Sequence, residues 1–389
     1  MQAARPIVAL LGRRETPADG VVDYCTFLGR ALERHGVELA QARVAWAEAG
    51  WIAAWRRLWR DSAAWRDTWV VLQYTAMSWS RRGFPFPALL TLAILRWRGA
   101  RCAVLFHEAG RQGGLLGWRG RIRGACQDGV VRALYRRAGK AIFTIPLGRI
   151  GWLPTGDPKA VYIPIGANIP ERFAPLVEQA GLRGGGKTVA VFCLSPLPNL
   201  SMEIGDLAQA AGRVRQIEGG VRFVILGKGS QEARAEIERM SGDTGVPMTV
   251  LGMLPGDKVA ETLARSDVLL YLYGCVSQTR GSALAGVACG LPIVGYAEGA
   301  GPSPVEEAGV ELVPYRNGKS LAEALVRVLS DDALRASLRE RSRTAQQKHF
   351  AWEVIAGKFI AALRVGTSEE NIPIAAGANR PAPAPRLEQ

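Results

Sequence analysis

Residues 266–298 read SDVLLYLYGCVSQTRGSALAGVACGLPIVGYAE, and their order decides the architecture. The apolar run at 268–273 has the composition of a buried strand, and residues 274–281 form a polar loop. Residues 282–289 form a helix of small side chains, and 292–296 a second apolar strand. Strand, loop, helix and strand in that order make a right-handed crossover between parallel strands. The helix then begins at the carboxyl end of a strand, where open α/β sheets hold their ligands. Its first-turn amides and the positive end of its dipole, with Arg280, Gly281 and Ser282 beside them, are expected to hold an anion such as phosphate.

The same alternation extends in both directions. Short apolar strands are predicted at 6–11, 69–74, 102–106, 141–145 and 161–163, then at 188–194, 222–226, 248–251 and 311–313, with helical patterns between them. A helix predicted at 21–35 places Val22, Cys25, Leu28 and Leu32 on one face. At 389 residues the chain is long for a single core. The expected fold class is α/β, with two Rossmann-like doubly wound domains facing a central cleft. They span residues 1–183 and 187–349, with glycines 184–186 as the hinge; residues 350–364 form a terminal helix, and the Pro- and Ala-rich residues 365–389 a disordered tail.

Charge is unevenly placed. Residues 1–150 hold 24 Lys and Arg against 10 Asp and Glu, so the whole net charge of +14 falls within them, and an acidic partner is expected there. Six tryptophans between 46 and 69 sit among Arg56, Arg57, Arg60 and Arg66. Trp51, Trp55 and Trp59 share one helical stripe, which either faces the core or lies at an anionic membrane surface. A second basic stretch runs from 119 to 140. No nucleic-acid motif accompanies the charge, so nucleic acid is not an expected partner. The six cysteines are scattered and read as reduced thiols, and no spacing of His, Cys or Asp marks a metal site. The N-terminus has too short an apolar run for a signal peptide, and no window of about 18 uncharged apolar residues occurs, so the expected location is cytoplasmic.

Several loops at strand ends carry chemistry. Residues 12–20 follow the first strand, where a backbone without Cβ admits a pyrophosphate, or where Asp19 simply caps the next helix. His107 and Glu108 follow the strand at 102–106; His107 serves as a hydrogen-bond donor or proton shuttle, or is an ordinary loop histidine. Glu108 orients that imidazole or caps the next helix. Lys228, in Gly227-Lys228-Gly229-Ser230, reaches a phosphate or is a solvated turn residue.

The phrase Ala288-Cys289-Gly290-Leu291-Pro292-Ile293-Val294 resembles the A-C-G-L-P-V-V phrase of family-four retaining glycosyltransferases, which have the GT-B fold. Asp19-Gly20-Val21-Val22-Asp23-Tyr24 is similar to their D-G-x-x-x-Y opening, and Phe106-His107-Glu108 to their F-H-E/D step. Residues 78–85, with Arg81, look like an acceptor-side loop. The two glutamates usual in that family, seven residues apart, fall here on Ser277 and Ala285, so the chain resembles a subgroup with Ser277, Arg280, Gly281 and Ser282 instead. The family's Arg and Lys near the first strand of the second domain are also absent from 194–199.

The resemblance implies a sugar moved from a nucleotide-diphosphate sugar to a lipid-linked or polysaccharide-precursor acceptor. It also implies retention, no metal or cofactor, and a terminal helix crossing back to the first domain. His107 becomes the catalytic candidate; Gly20, Lys228, Ser277, Arg280, Gly281 and Ser282 bind the donor; Asp19, Tyr24, Glu108 and Arg81 face the acceptor. A peripheral position on the inner face of the plasma membrane follows from the basic first domain. The alternatives are a catalytically silent scaffold or partner subunit, favoured by loss of both glutamates, and a nucleotide-sugar epimerase.

Overall fold

The structure is a computed structural model that describes residues 6–13, 19–110, 117–170, 186–299 and 303–364. Glycines 184 and 185 of the expected hinge, the middle of the 12–20 loop and the expected tail at 365–389 lie outside the described residues.

Two six-stranded parallel sheets carry the molecule. The first contains β1 (Ile7–Leu11), β2 (Leu39–Arg43), β3 (Trp69–Tyr74), β4 (Arg101–Phe106), β5 (Lys140–Phe143) and β6 (Ala160–Tyr162), in the order β2-β1-β3-β4-β5-β6. The second contains β7 (Lys187–Phe192), β8 (Val221–Leu226), β9 (Met248–Gly252), β10 (Val268–Cys275), β11 (Ile293–Tyr296) and β12 (Val310–Val313), in the order β12-β11-β10-β7-β8-β9. The central strands are buried on both faces, which is why they read as apolar runs without alternation. The expected α/β class with two Rossmann-like sheets is the one observed.

Only β2 escaped the sequence pattern. It is an edge strand of half-buried Leu39, Ala40, Ala42 and Arg43 around an exposed Gln41, and an edge needs neither β-branched residues nor a continuous apolar run. At β10 the strand runs two residues beyond the expected 273, with a register shift against β11 between Tyr271 and Cys275. That irregularity turns Tyr273, Gly274 and Cys275 along the edge of the cleft described below.

Helices cover both faces of the first sheet. On one side helices Trp51–Asp61, Pro87–Trp97 and Gly117–Arg137 bury Leu58, Leu92 and Leu134 against Val8, Leu72 and Val104. On the other, helix Gly20–Arg34 packs with the last helix of the chain, Trp352–Leu363. Trp352 anchors that last helix to the first domain. Its ring stacks on Phe27 at 5.7 Å, its Nε1 donates to the Ala167 carbonyl at 2.8 Å, and it is 2% exposed. Glu353 adds an ion pair to Arg34 at 2.9 Å and meets His35 Nε2 at 3.1 Å. Burial of an indole of this kind stabilises by about 3–5 kcal/mol relative to alanine.

Candidate active site

Each sheet has a point where strand order reverses: between β1 and β3 in the first, between β7 and β10 in the second. Loops leaving those strands diverge and leave a crevice, which in open α/β sheets is the ligand site. Here the two crevices face each other across one cleft of about 1090 Å³. From the first domain it is lined by Asp19, Gly20 and Tyr24 after β1, Thr75 and Ser78 after β3, and His107 and Glu108 after β4. The second domain contributes Ser195, Pro196 and Asn199 after β7 and the run from Tyr273 to Gly281 after β10, with Glu298 and Tyr315 at the border.

On the first-domain side, Gly12 lets two loops meet. A Cβ there would lie 2.3 Å from the Ser78 carbonyl oxygen, to which the adjacent Arg13 amide donates at 2.8 Å. Asp19 takes the Val21 and Val22 amides at 3.1 Å each, so it caps helix Gly20–Arg34 and borders the cleft at once. The Tyr24 ring meets the His107 ring edge-on at 5.2 Å, and its buried hydroxyl has no hydrogen-bond partner among the described residues. A buried unpaired hydroxyl costs about 1–3 kcal/mol, so a ligand oxygen delivered there would be gained at full value. Glu108 Oε2 accepts from the Ala76 amide at 3.2 Å.

His107 is half-buried, and its Nε2 is 2.9 Å from Gln73 Oε1. Gln73 donates from its Nε2 to the Val71 carbonyl, which leaves Oε1 as the acceptor and makes His107 Nε2 the donor by network assignment. Burial pushes the imidazole down to about 3, so the ring is neutral at physiological pH. A neutral ring with Nε2–H committed to Gln73 keeps Nδ1 as an acceptor, which favours orientation of a hydroxyl over carriage of a proton.

On the second-domain side, helix Gly281–Ala288 begins with Arg280 at its N-cap and no side-chain cap on its first-turn amides. The Arg280 guanidinium is exposed, lies 5.1 Å over the Tyr273 ring, and meets no ion-pair partner among the described residues. Ser277 is buried at the cleft wall, its hydroxyl 3.2 Å from that of Thr279. Ala285, at the position of the second missing glutamate, is buried inside the helix at 1% exposure.

Three expected residues stand outside the cleft lining. Ser282 turns its hydroxyl to Tyr271 at 3.3 Å. Lys228 is exposed on the next loop, where its carbonyl takes the Leu194 amide at 2.8 Å. Gly229 beside it has φ +79, and a Cβ there would strike the Leu194 carbonyl oxygen at 2.3 Å. Arg81 is exposed and donates from Nη2 to the Ala47 carbonyl at 3.0 Å.

Other residues enter the site unannounced. Glu203, 1% exposed, takes the Ser195 amide at 2.7 Å and fixes the loop after β7; burial raises its carboxyl, opposed by the Ser195 hydrogen bonds and by Arg280. Arg149 of the first domain reaches Glu298 of the second at 2.6 Å, and Tyr162 donates to Gln278 Oε1 at 2.8 Å. These two contacts tie the walls of the cleft together. None of them carries a local sequence signal: Gln278 lies in the polar loop 274–281, where a glutamine is ordinary, and its burial is set by packing.

Comparison with known proteins agrees with this geometry. Residues 190–331 match the family model of glycosyl transferases group 1. A GDP-mannose-dependent monoacylated alpha-(1-6)-phosphatidylinositol monomannoside mannosyltransferase from Corynebacterium glutamicum is 25% identical over 160 residues. That match covers 39% of this chain and 40% of the relative's length. Sucrose-phosphate synthase from Thermosynechococcus elongatus superposes with a TM-score of 0.65 at 18% identity, covering 92% of this chain and 98% of that one. Anabaena HepE, solved with UDP and glucose, gives 0.60 at 15% identity, covering 92% and 99%. The chain thus has the GT-B fold seen in these glycosyltransferase structures, and residues 190–331, within its second domain, are similar to glycosyl transferases group 1.

Proposed function

We propose that the protein transfers a sugar from a nucleotide-diphosphate sugar to a lipid-linked or polysaccharide-precursor acceptor, with retention at the anomeric carbon and without a metal. The observation that carries this reading is the unpaired Arg280 at an uncapped helix N-terminus, facing His107 and Tyr24 across the cleft. A diphosphate leaving group needs positive charge where its negative charge grows, and a fixed guanidinium with first-turn amides supplies it without reorganisation. Lys228 is one loop away and adds long-range attraction. His107, Tyr24 and Glu108 then meet sugar and acceptor hydroxyls, with Asp19 at the acceptor edge; Arg81, outside the lining, has no part in this reading. The relative from Corynebacterium uses GDP-mannose and a phosphatidylinositol mannoside, which makes a GDP-sugar and a lipid-linked acceptor the first candidates.

The absence of both family glutamates favours one rival, a silent scaffold, which would bind nucleotide without turning it over. An epimerase would need free acid and base carboxylates. Among the described residues, the three carboxylates at this cleft wall, Asp19, Glu108 and Glu298, are all engaged by the protein itself. Purified protein with UDP-, GDP- and TDP-sugars should release the sugar slowly from one of them. Nucleotide binding with no hydrolysis, and no transfer to any lipid-linked acceptor, would overturn the enzymatic reading.

A further inference from the structure

The three helices on one side of the first sheet have outer faces that no other part of the described chain covers. Trp51–Asp61 packs beside Pro87–Trp97, and that helix beside Gly117–Arg137. All three bury their inner faces in the same core, so their outer faces look the same way, off the side of the domain. Twelve large hydrophobic side chains stand exposed among the described residues, and eight of them belong to residues 51–61, 81–98 and 117–123. Trp97 is 81% exposed, Ile52 68%, Trp118 66% and Phe86 52%. The same segments hold ten arginines and a single acid, Asp61, which is itself paired with Arg57 at 3.5 Å. Ile52, Trp55, Trp59 and Ile94, with Arg56 and Arg60, line an open apolar depression of about 620 Å³.

The residues exposed here are not the tryptophan stripe legible in the sequence. Trp51 stacks on Trp46 at 4.7 Å, and Trp55 donates to the Thr91 hydroxyl at 3.1 Å; both pack against the core. Of that stripe only Trp59 is exposed, meeting Trp97 edge-on at 5.8 Å, while the half-buried Trp55 shows one edge in the depression.

From this juxtaposition we propose that the outer face of the three-helix layer docks on an anionic phospholipid bilayer. Indoles favour the headgroup boundary, arginines bind lipid phosphates, and aliphatic tips such as Ile52, Leu90 and Ile122 enter the acyl edge. A nucleic acid would match the charge and the rings, yet it would leave the exposed aliphatic tips of Ile52, Leu90 and Ile122 without an apolar partner, which the acyl edge of a bilayer supplies. The face also adjoins the cleft. Thr75 and Ser78 line the cleft, and the same loop continues to the exposed Phe84 and Phe86. The proposal deepens the lipid-linked reading of the acceptor, because a headgroup-borne substrate would enter from the bilayer along that loop.

The test uses the full chain, sedimented with vesicles of phosphatidylcholine alone or with about a third phosphatidylglycerol, at low and high salt. Wild-type protein should bind the anionic vesicles and lose binding as salt rises. The double variant Trp97→Ser/Trp118→Ser and the triple variant Arg56→Gln/Arg60→Gln/Arg121→Gln should each lower the partition coefficient by about tenfold or more. Both should keep the wild-type melting temperature and nucleotide affinity. Absence of binding to anionic vesicles, undiminished binding by both variants, or RNA displacing the protein from vesicles would overturn the docking face. Nucleotide affinity is read in parallel, so wild-type protein that binds nucleotide but no anionic vesicle refutes this face alone. Wild-type protein that binds none of the nucleotides would refute the donor reading instead.

Discussion

Replacing Arg280 by alanine tests the donor site most directly. In the free protein the guanidinium rests on Tyr273 and bears no ion pair among the described residues, so its removal breaks no salt bridge there. The tyrosine contact cancels from the difference provided the guanidinium keeps its place over Tyr273 when nucleotide binds. What remains is the attraction to the diphosphate. Two unit charges about 4 Å apart gain roughly 4 kcal/mol at an effective dielectric near 20, and exposure and salt reduce that further. A net loss of about 2–3 kcal/mol follows, which weakens nucleotide binding by about 30- to 150-fold. Calorimetric titration of wild type and Arg280→Ala with UDP and GDP measures it. The Arg280→Lys variant should recover part of the affinity, since a point charge keeps the attraction but not the planar fork. The melting temperature should move by no more than about 2 °C, as for other exposed substitutions. If Arg280→Ala binds the preferred nucleotide within about threefold of wild type, Arg280 is not a phosphate ligand and the site must be sought elsewhere in the cleft.

His107→Ala should lower turnover by about two orders of magnitude while leaving nucleotide affinity nearly unchanged, because the ring faces the first-domain wall; equal loss of affinity and turnover would make it a general binding residue. The same imidazole sets an acid limit. Its folded value near 3 lies below the ordinary 6.5, so between those values the unfolded chain binds the extra proton and stability falls as pH falls. Urea titrations at pH 6.5 and 4.5 should show His107→Gln losing on the order of 1–2 kcal/mol less than wild type over that interval, and identical slopes would remove His107 from the effect. Arg149→Met should loosen the two domains by breaking the pair with Glu298, seen as a larger radius of gyration in solution scattering without nucleotide; an unchanged radius would mean that Tyr162 and Gln278 hold the cleft alone. Transfer should persist in excess EDTA, because in the proposed donor site Arg280 and the helix N-terminus would take the role of a dication; loss of activity in EDTA with recovery in magnesium would overturn that assignment.

How much of this was legible beforehand varies along the chain. Buried parallel strands such as Val268–Cys275 announce themselves because both faces must be apolar, whereas Leu39–Arg43 at the sheet edge has no such requirement. Loops at the carboxyl ends of strands were legible as site loops, since chain order alone puts Asp19, His107 and Arg280 at strand ends. That they meet in one cleft depends on how the two sheets face each other. Gly12 and Gly229 are needed because neighbouring loops come within a Cβ radius, a distance that no local pattern contains. Arg149 and Glu298, or Tyr162 and Gln278, lie more than a hundred residues apart, and Glu203 acts by accepting one amide from a loop eight residues away. The tryptophans divide likewise. Helical spacing places Trp51, Trp55 and Trp59 on one stripe, but the packing of three helices on one sheet half-buries the first two and leaves Trp97 and Trp118 outside. Periodicity along the chain determined which segments are strands and helices and where ligands gather, because those follow from local geometry. Which side chains face the cleft, the core or the solvent was decided only by tertiary packing, because burial is a property of the neighbours a residue meets in space.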